Sequence, residues 1–464
     1  SGLRITMAEL RRMTIKISSF KAYDIRGQLP HEINPEIAYR VGNATAEYLS
    51  AKKMILGRDI RASSKELSES MASGLMDAGV DVIDIGECGT ENVYYATGEL
   101  KTCGGIMVTA SHNPSDYNGF KIVSENAKPI SSETGLQDIR RLAESDQRLI
   151  SEIKGNIEYR DLNQSYVKKI ISFIDSDSLD KLKVVMNPGN GGAGVYAELI
   201  SKNMPIEVIK LNFDPDSSFP NGIPNPMIKE NRVSTSQAVI DNEADMGIAW
   251  DGDFDRCFLF DEKGNFIEGY YLVGLLAKSF LSKNYNEKVI YDPRLTWNTI
   301  DVVQRYGGDA IQCQSGHSFI KKSMRDNDAV YGGEMSAHHY FRDFYYCDSG
   351  MIPWLLILEM ISIEKMPLSQ MIQKYRDRYP VSGEINLKVN NTKKIIELIK
   401  EYYLDDSSGV DETDGVGMEF EKWRFNLRAS NTEPLIRLNV ESYNNESLMN
   451  EKTKELVDRI NSLD

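Results

Sequence analysis

Apolar residues along this chain fall into short runs broken by polar, Gly-rich punctuation. Three stretches repeat one order: an apolar run, a polar loop, a helical segment, a Gly and a second run. They are KKMILGRDIRASSKELSESMASGLMDAGVDVIDIG, KLKVVMNPGNGGAGVYAELISKNMPIEVIKLN and EKVIYDPRLTWNTIDVVQRYGGDAIQCQSG. Runs that are apolar throughout and mostly rich in Val and Ile suit parallel strands covered on both faces. Each first run closes on a Gly, Pro, Asn or Asp cluster able to open the next helix. This βαβ rhythm predicts three related α/β units.

Beyond about residue 378 the pattern changes. GEINLKV, the helical TKKIIELIKEYYL, a polar turn DETDGVGMEF, the runs KWRFNLRAS and LIRLNVES and a last helix predict an α+β domain with an antiparallel sheet. The expected divisions are residues 1–155, 156–258, 259–377 and 378–464. The most apolar stretch, MIPWLLILEMISI, is too short for a bilayer span and contains Glu359, so it predicts a core helix. SGLRITMAELRRMTIKISSF shows no apolar h-region and hence no secretory signal; Ser1-Gly2 reads as a cloning remnant, with Met7 or Met13 as the natural start.

Composition narrows the class. A length of 464 residues fits three or four domains. Lys+Arg 54 against Asp+Glu 69 leaves a net charge of −15, which does not invite nucleic acid or anionic lipid. An anionic substrate therefore needs a local Arg/Lys pocket. Five scattered cysteines with no CxxC favour a reducing cytosol over a disulfide scaffold or zinc site. The expectation is a cytoplasmic protein, a monomer or weak homodimer, without nucleic-acid or membrane partners.

Candidate chemistry concentrates in a few loops. In ADMGIAWDGDFDRCFLFDEKG an apolar run ends in Asp251, Asp253 and Asp255, and a second run follows Arg256. Three acids at alternate positions repel one another unless a cation sits among them, and hard oxygen ligands suit Mg²⁺. Open α/β sheets bind ligands at the carboxyl ends of their strands, where this loop should lie. Asp251, Asp253, Asp255 and Glu262 also match EF-hand positions, but that loop needs Gly where Arg256 stands and helices where CFLF continues. A further alternative is a haloacid-dehalogenase-like phosphotransferase with Asp251 as nucleophile, although such loops usually carry Thr or Val in place of Asp255. A calcium-dependent sugar-binding protein is the non-enzymatic alternative.

VTASHNPSDYNGFK sets Ser111 beside His112 in a loop of turn formers. Adjacent side chains usually project apart, which argues against a nucleophile with its own base. GGEMSAHHYF offers Glu334, Ser336 and His338, a set suited to sugar hydroxyls and proton exchange, although a helix cap with surface histidines has the same composition. RASNTEPLIRL supplies Arg428, Ser430, Asn431 and Thr432, either a phosphate clamp or a plain polar turn. NPGNGGAG lacks the closing Gly-Lys-Ser/Thr of a P-loop and is assigned no chemistry.

Taken together, AYDIRG, TASHNPSDYNGFK, DGDFDR, SGHSFIK, GGEMSAHHYF and RASNTEPLIRL resemble the α-D-phosphohexomutase superfamily in content and order, over nearly the whole chain past its N-terminal extension. GEMSAHHYFRDF and DGDFDRCFLFDE look most like its bacterial phosphomannomutase branch, which serves GDP-mannose synthesis. The resemblance implies three related α/β domains with mixed sheets and a C-terminal domain similar to the TATA-binding-protein fold, around a central cleft. It implies that Ser111 is a phosphoserine and that Asp251, Asp253 and Asp255 hold Mg²⁺ with one oxygen of that phosphate. Arg256, Lys121 (a candidate general base), Tyr23, Arg26 and His112 would line that site, with His338 a candidate acid/base on the opposite side. Glu334 and Ser336 would grip sugar hydroxyls, Arg294 and His317 would close on the sugar, and Arg428, Ser430, Asn431 and Thr432 would hold the non-reacting phosphate. The implied reaction interconverts mannose 6-phosphate and mannose 1-phosphate through a hexose 1,6-bisphosphate, with glucose phosphates as alternative substrates. Two positions depart from many relatives: Phe254 replaces the second Gly of DGDGDR, and Arg294 stands where some carry Lys. The Phe254 side chain is expected to point away from the metal.

Overall fold

The computed structural model describes Thr6, Glu9, residues 11–430 and residues 433–464. It divides into two units, the first running to Gly264 and including Asp343–Glu359, the second formed by Asn265–Arg342 and Met360–Asp464.

The first unit holds two mixed sheets. Strands β1 (Ile25–Gln28), β2 (Lys53–Arg58), β3 (Asp81–Glu87), β4 (Gly104–Val108), β5 (Tyr117–Ser124) and β6 (Ile157–Tyr159) lie in the order β1-β5-β4-β2-β3-β6. β2 is parallel to β3 and β4, and β3 to β6, as buried apolar runs lead one to expect. β5 runs antiparallel to both β4 and β1, because the loop after Val108 simply turns the chain back. The second sheet takes β7 (Lys183–Asn187), β8 (Glu207–Lys210), β9 (Met246–Trp250) and β10 (Cys257–Phe260) in the order β10-β9-β7-β8. β9 and β10 pair antiparallel with Trp250 opposite Cys257, so residues 251–256 form the tip of a hairpin. That geometry removes the EF-hand alternative, since strands rather than helices flank the loop.

The segment Asp343–Glu359 joins this unit through buried polar contacts. Glu91 accepts from the Ser349 hydroxyl (2.7 Å), the Gly350 amide (2.9 Å) and the Tyr166 hydroxyl (2.7 Å), while the Trp250 indole donates to the Gly350 carbonyl (2.8 Å). Trp354, Leu355 and Leu356 are wholly buried, matching the expected core helix. Among the described residues no helix is long and apolar enough to cross a membrane. All five cysteines are free.

In the second unit, β11 (Lys288–Tyr291), β12 (Asp309–Gln312), β13 (Tyr331–Gly333) and β14 (His339–Phe341) follow the order β12-β11-β13-β14, with the β13–β14 pair antiparallel. The C-terminal sheet orders Ile385–Lys388, Leu435–Ser442, Trp423–Ala429, Val416–Glu419 and Gly409–Asp411, antiparallel throughout. Helices Thr392–Tyr403 and Glu446–Leu463 set Ile395, Ile399, Leu456 and Ile460 into a core with Phe425, Leu427, Ile436 and Leu438. Three α/β sheets and a C-terminal antiparallel α+β segment are thus the architecture the pattern predicts, and the three sheets are mixed as the resemblance implies. A buried pair ties the last sheet to the loop after β11. Arg424 meets Glu441 at 2.8 Å and donates to the carbonyls of Pro293 and Arg294 (2.9 and 3.1 Å). Glu441 in turn accepts from the amides of Thr296 and Trp297 (2.8 and 2.9 Å).

Candidate active site

The loop between β4 and β5 carries Ser111 at φ +52°, in the left-handed region that a non-Gly residue seldom occupies. Its amide donates to Thr109 Oγ1 (2.9 Å), and the Thr109 hydroxyl donates to Asp59 Oδ2 (2.7 Å) at the end of β2. The turn brings Ser111 Oγ within 3.1 Å of His112 Nδ1, so the adjacent pair does touch. His112 Nδ1 also lies 3.2 Å from Arg256 Nη2, so that nitrogen serves as acceptor. Burial, then the Arg256 and Arg26 guanidinium groups, depress the His112 pKa to about 4 and leave a neutral ring. Arg26 on β1 donates to Asn113 Oδ1 (2.7 Å) and pairs with Asp24 (2.5 Å); Tyr23 is half-buried just before that strand.

The hairpin tip brings its acids against this loop. Ligand atoms of Asp251, Asp253 and Asp255 all lie within 4.8 Å of one another, and all three residues are buried. Arg256 Nε is 2.9 Å from Asp251 Oδ2, and Lys121 Nζ on β5 is 2.6 Å from Asp253 and 3.0 Å from Asp255. Burial works against the Lys121 charge, but Asp253 and Asp255 hold its pKa well above the ordinary lysine value. Lys121 is therefore an ammonium here, and can act as a base only once another cation takes those oxygens. Burial and the neighbouring Asp255 push Asp251 well above the carboxylate range. Three carboxylates face two cations, and Asp253 Oδ1 is buried with no hydrogen-bond partner among the described residues. An all-oxygen donor set with an orphaned buried oxygen fits a hard divalent cation.

Two contacts set the hairpin's position. A Cβ on Gly252 would lie 2.3 Å from the Ser111 carbonyl oxygen, so only glycine lets the two loops meet. Asp253 accepts from the Thr90 hydroxyl at 2.5 Å, which fixes the tip on the start of helix Thr90–Glu99. Phe254 points away from the acids, as expected. It is wholly buried at φ +44°, its ring 5.4 Å from that of Tyr196 and pressed onto Gly89, where a Cβ would come within 2.2 Å of it.

In the second unit, the β13–β14 hairpin tip carries Glu334, Ser336 and His338. The Glu334 amide donates to the His338 carbonyl (2.9 Å), and Ala337 takes φ +72°. Glu334 accepts from the Gly316 amide (2.8 Å) and the Tyr340 hydroxyl (2.6 Å), leaving a lone pair on each oxygen for another donor. The His338 ring lies 6.3 Å from that of Tyr340, nearly parallel to it. Arg294 meets Asp292 at 2.9 Å and Glu334 at 3.9 Å; burial opposes its charge, and Asp292 holds its pKa above the usual arginine value. Arg428 pairs with Asp414 (3.4 Å) and keeps a buried Nε that donates to none of the described residues; burial and then Arg294 lower its pKa. Asp414 also accepts from the Ser315 amide (3.2 Å), so the half-buried His317 follows a loop joined to both Glu334 and Asp414. The Ser430 amide donates to the Leu435 carbonyl (2.9 Å); Asn431 and Thr432 lie outside the described residues.

The structure thus gathers Ser111, His112, Lys121, Arg26, Arg256 and the three Asp in one unit, and Arg294, His317, Glu334, Ser336, His338, Arg428 and Ser430 in the other. Sequence reasoning passed over Asp59, Arg61 and Thr90. Only the rule that ligands gather at strand carboxyl ends could have drawn attention to GRDIRASS.

Comparison with known proteins matches four stretches of the chain. Residues 18–149 match the phosphoglucomutase/phosphomannomutase alpha/beta/alpha domain I, residues 164–264 domain II, residues 268–379 domain III and residues 384–458 the C-terminal domain. A phosphomannomutase of Vibrio cholerae is 53% identical over 460 residues, covering 97% of this chain and 99% of the relative. Phosphohexose mutases of Xanthomonas campestris are 51% identical over 95% of this chain and 98% of their own length. The crystal structure of a phosphoglucomutase/phosphomannomutase family protein from Burkholderia thailandensis superposes with a TM-score of 0.87 at 29% identity, over 96% of this chain and 98% of that one. The chain belongs to the phosphoglucomutase/phosphomannomutase family.

Proposed function

We propose that this chain is a phosphomannomutase that interconverts mannose 6-phosphate and mannose 1-phosphate and supplies GDP-mannose synthesis. The observation that carries the reading is the seating of the Ser111 loop on the acidic hairpin, with Lys121 reaching both Asp253 and Asp255. Phospho-Ser111 gives its phosphoryl group to the free hydroxyl of mannose 6-phosphate: the Oγ–P bond breaks, a sugar O–P bond forms, and the hydroxyl proton leaves to a base. The resulting hexose 1,6-bisphosphate reverses its orientation and returns its other phosphoryl group to Ser111, regenerating the enzyme.

Asp251, Asp253 and Asp255 would hold Mg²⁺, which supplies charge neutralisation to a phosphoryl group in transfer. The chain's residues do the rest. Arg256 and His112 orient Ser111 Oγ, Arg26 steadies the loop through Asn113, and Lys121 and His338 are the candidate proton carriers. Glu334 and Ser336 take sugar hydroxyls, Arg294 and His317 close on the ring, and Arg428 with Ser430, Asn431 and Thr432 hold the phosphate not being transferred. The work then divides over residues 1–155 (phosphoserine), 156–258 (metal), 259–377 (sugar) and 378–464 (phosphate). Five free cysteines support a reducing, cytoplasmic setting.

A dual mannose/glucose specificity is the second reading, favoured by the family's joint description and by the broader name of the Xanthomonas relatives. The dehalogenase-like alternative, with Asp251 phosphorylated, has no support in the family assignment. A coupled assay of mannose 1-phosphate against glucose 1-phosphate, with Mg²⁺ and catalytic hexose bisphosphate, tests these readings. Turnover of mannose 1-phosphate is expected; its absence would overturn the first reading, and equal rates would establish the second. Phosphopeptide mapping should find acid-stable phosphate on Ser111, whereas a labile acyl phosphate on Asp251 would revive the alternative.

A further inference from the structure

The residue that shapes the serine loop lies outside every motif assigned above. Arg61, only 4% exposed, follows β2 and turns its guanidinium into the loop. Nη1 donates to the carbonyls of Pro114 (2.7 Å) and Tyr117 (3.2 Å), and Nη2 to those of Ser111 (3.0 Å) and Asn113 (2.7 Å). Asp59 balances its charge at 3.4 Å and also anchors Thr109, which receives the Ser111 amide. Resting on the phosphoserine reading, we propose that Arg61 is a positioning residue for phosphoryl transfer. It gathers four carbonyls that would otherwise repel one another and so holds Ser111 in its left-handed conformation, with Oγ aimed toward the acidic hairpin.

A planar guanidinium reaches four oxygens at once, whereas an ammonium has three donors radiating from one atom. Phosphoryl transfer depends on alignment, and a displacement near 1 Å can cost about a hundredfold in rate. Arg61 does not touch the sugar in this scheme, so its loss should appear in kcat and leave KM nearly unchanged.

The test uses full-length Arg61→Lys and Arg61→Ala proteins with Mg²⁺ and catalytic hexose bisphosphate. Arg61→Lys should lose about a hundredfold in kcat for mannose 1-phosphate at unchanged KM. Methylguanidinium should restore part of the rate to Arg61→Ala, and hydrogen exchange across residues 109–117 should quicken in both variants. Wild-type kcat in Arg61→Lys, loop exchange unchanged from wild type, or loss of the whole fold in Arg61→Lys would each overturn the positioning role. A wild-type protein without mutase activity would sink the phosphoserine reading instead, and the exchange measurement would still decide whether Arg61 shapes the loop.

Discussion

Ser111 pays for its place: a non-Gly residue at φ +52° carries on the order of 1 kcal/mol of backbone strain. Such strain persists only where surrounding bonds over-determine the conformation, and the Thr109, Asp59 and Arg61 contacts do so. Ser111→Ala should abolish mutase turnover while divalent-metal binding and the circular-dichroism spectrum stay intact. Near-normal activity in that variant would refute the phosphoserine assignment. Ser111→Gly should be equally inactive yet more stable than Ser111→Ala by about 1 kcal/mol in chemical denaturation, since glycine adopts this conformation freely. An Ala variant as stable as the Gly variant would mean that the loop is not strained.

Among the elements, the β9–β10 hairpin and the helix Thr90–Glu99 act as one piece. Asp253 is held from one side by Thr90, and Phe254 presses its ring on Gly89 directly before that helix. Gly89→Ala should cost about 1–3 kcal/mol by overpacking, and Phe254→Ala about 3 kcal/mol through the cavity it leaves. Because the two changes act on one contact, the double variant should be less destabilised than the sum of the singles by more than about 0.5 kcal/mol. Additive losses in urea titrations would show that the pair is not coupled. Gly252→Ala should drive the serine loop off the hairpin and lower kcat about a hundredfold; unchanged turnover would show that the loops need not meet so closely.

At the scale of the whole molecule, acid should weaken the protein through a buried histidine. His339 is fully buried, with Nδ1 2.7 Å from the Tyr331 hydroxyl and Nε2 without a partner among the described residues. Burial, with His338 adding to it, lowers its pKa to about 3. The unfolded chain binds this proton below about pH 6.5 while the folded chain refuses it. Full stability therefore holds above that pH and declines by about 1.4 kcal/mol per pH unit toward the folded value. His339→Phe should flatten that part of a stability–pH profile; an unchanged slope would exclude His339 as the source.

Legibility follows the reach of each interaction. The strands, the core helix and the acidic hairpin were visible because their signals are local: apolar runs between turn formers, and three acids alternating after one run. The serine could be suspected from its loop but not aimed, since its backbone angle depends on Asp59 and Arg61, some 50 residues earlier. The contacts of Arg61 left no trace in the sequence because it binds carbonyl oxygens, which every residue carries. Nor does any local pattern announce that Asp343–Glu359 packs with the first unit, an arrangement made by Glu91 and Trp250 through hydrogen bonds across large sequence separations. The sequence by itself determined which elements form and which side chains are available for chemistry, because periodicity and residue type act over a few neighbours. Tertiary structure alone decided which of those side chains meet, because each meeting depends on backbone direction and close approach between segments that the chain order keeps far apart.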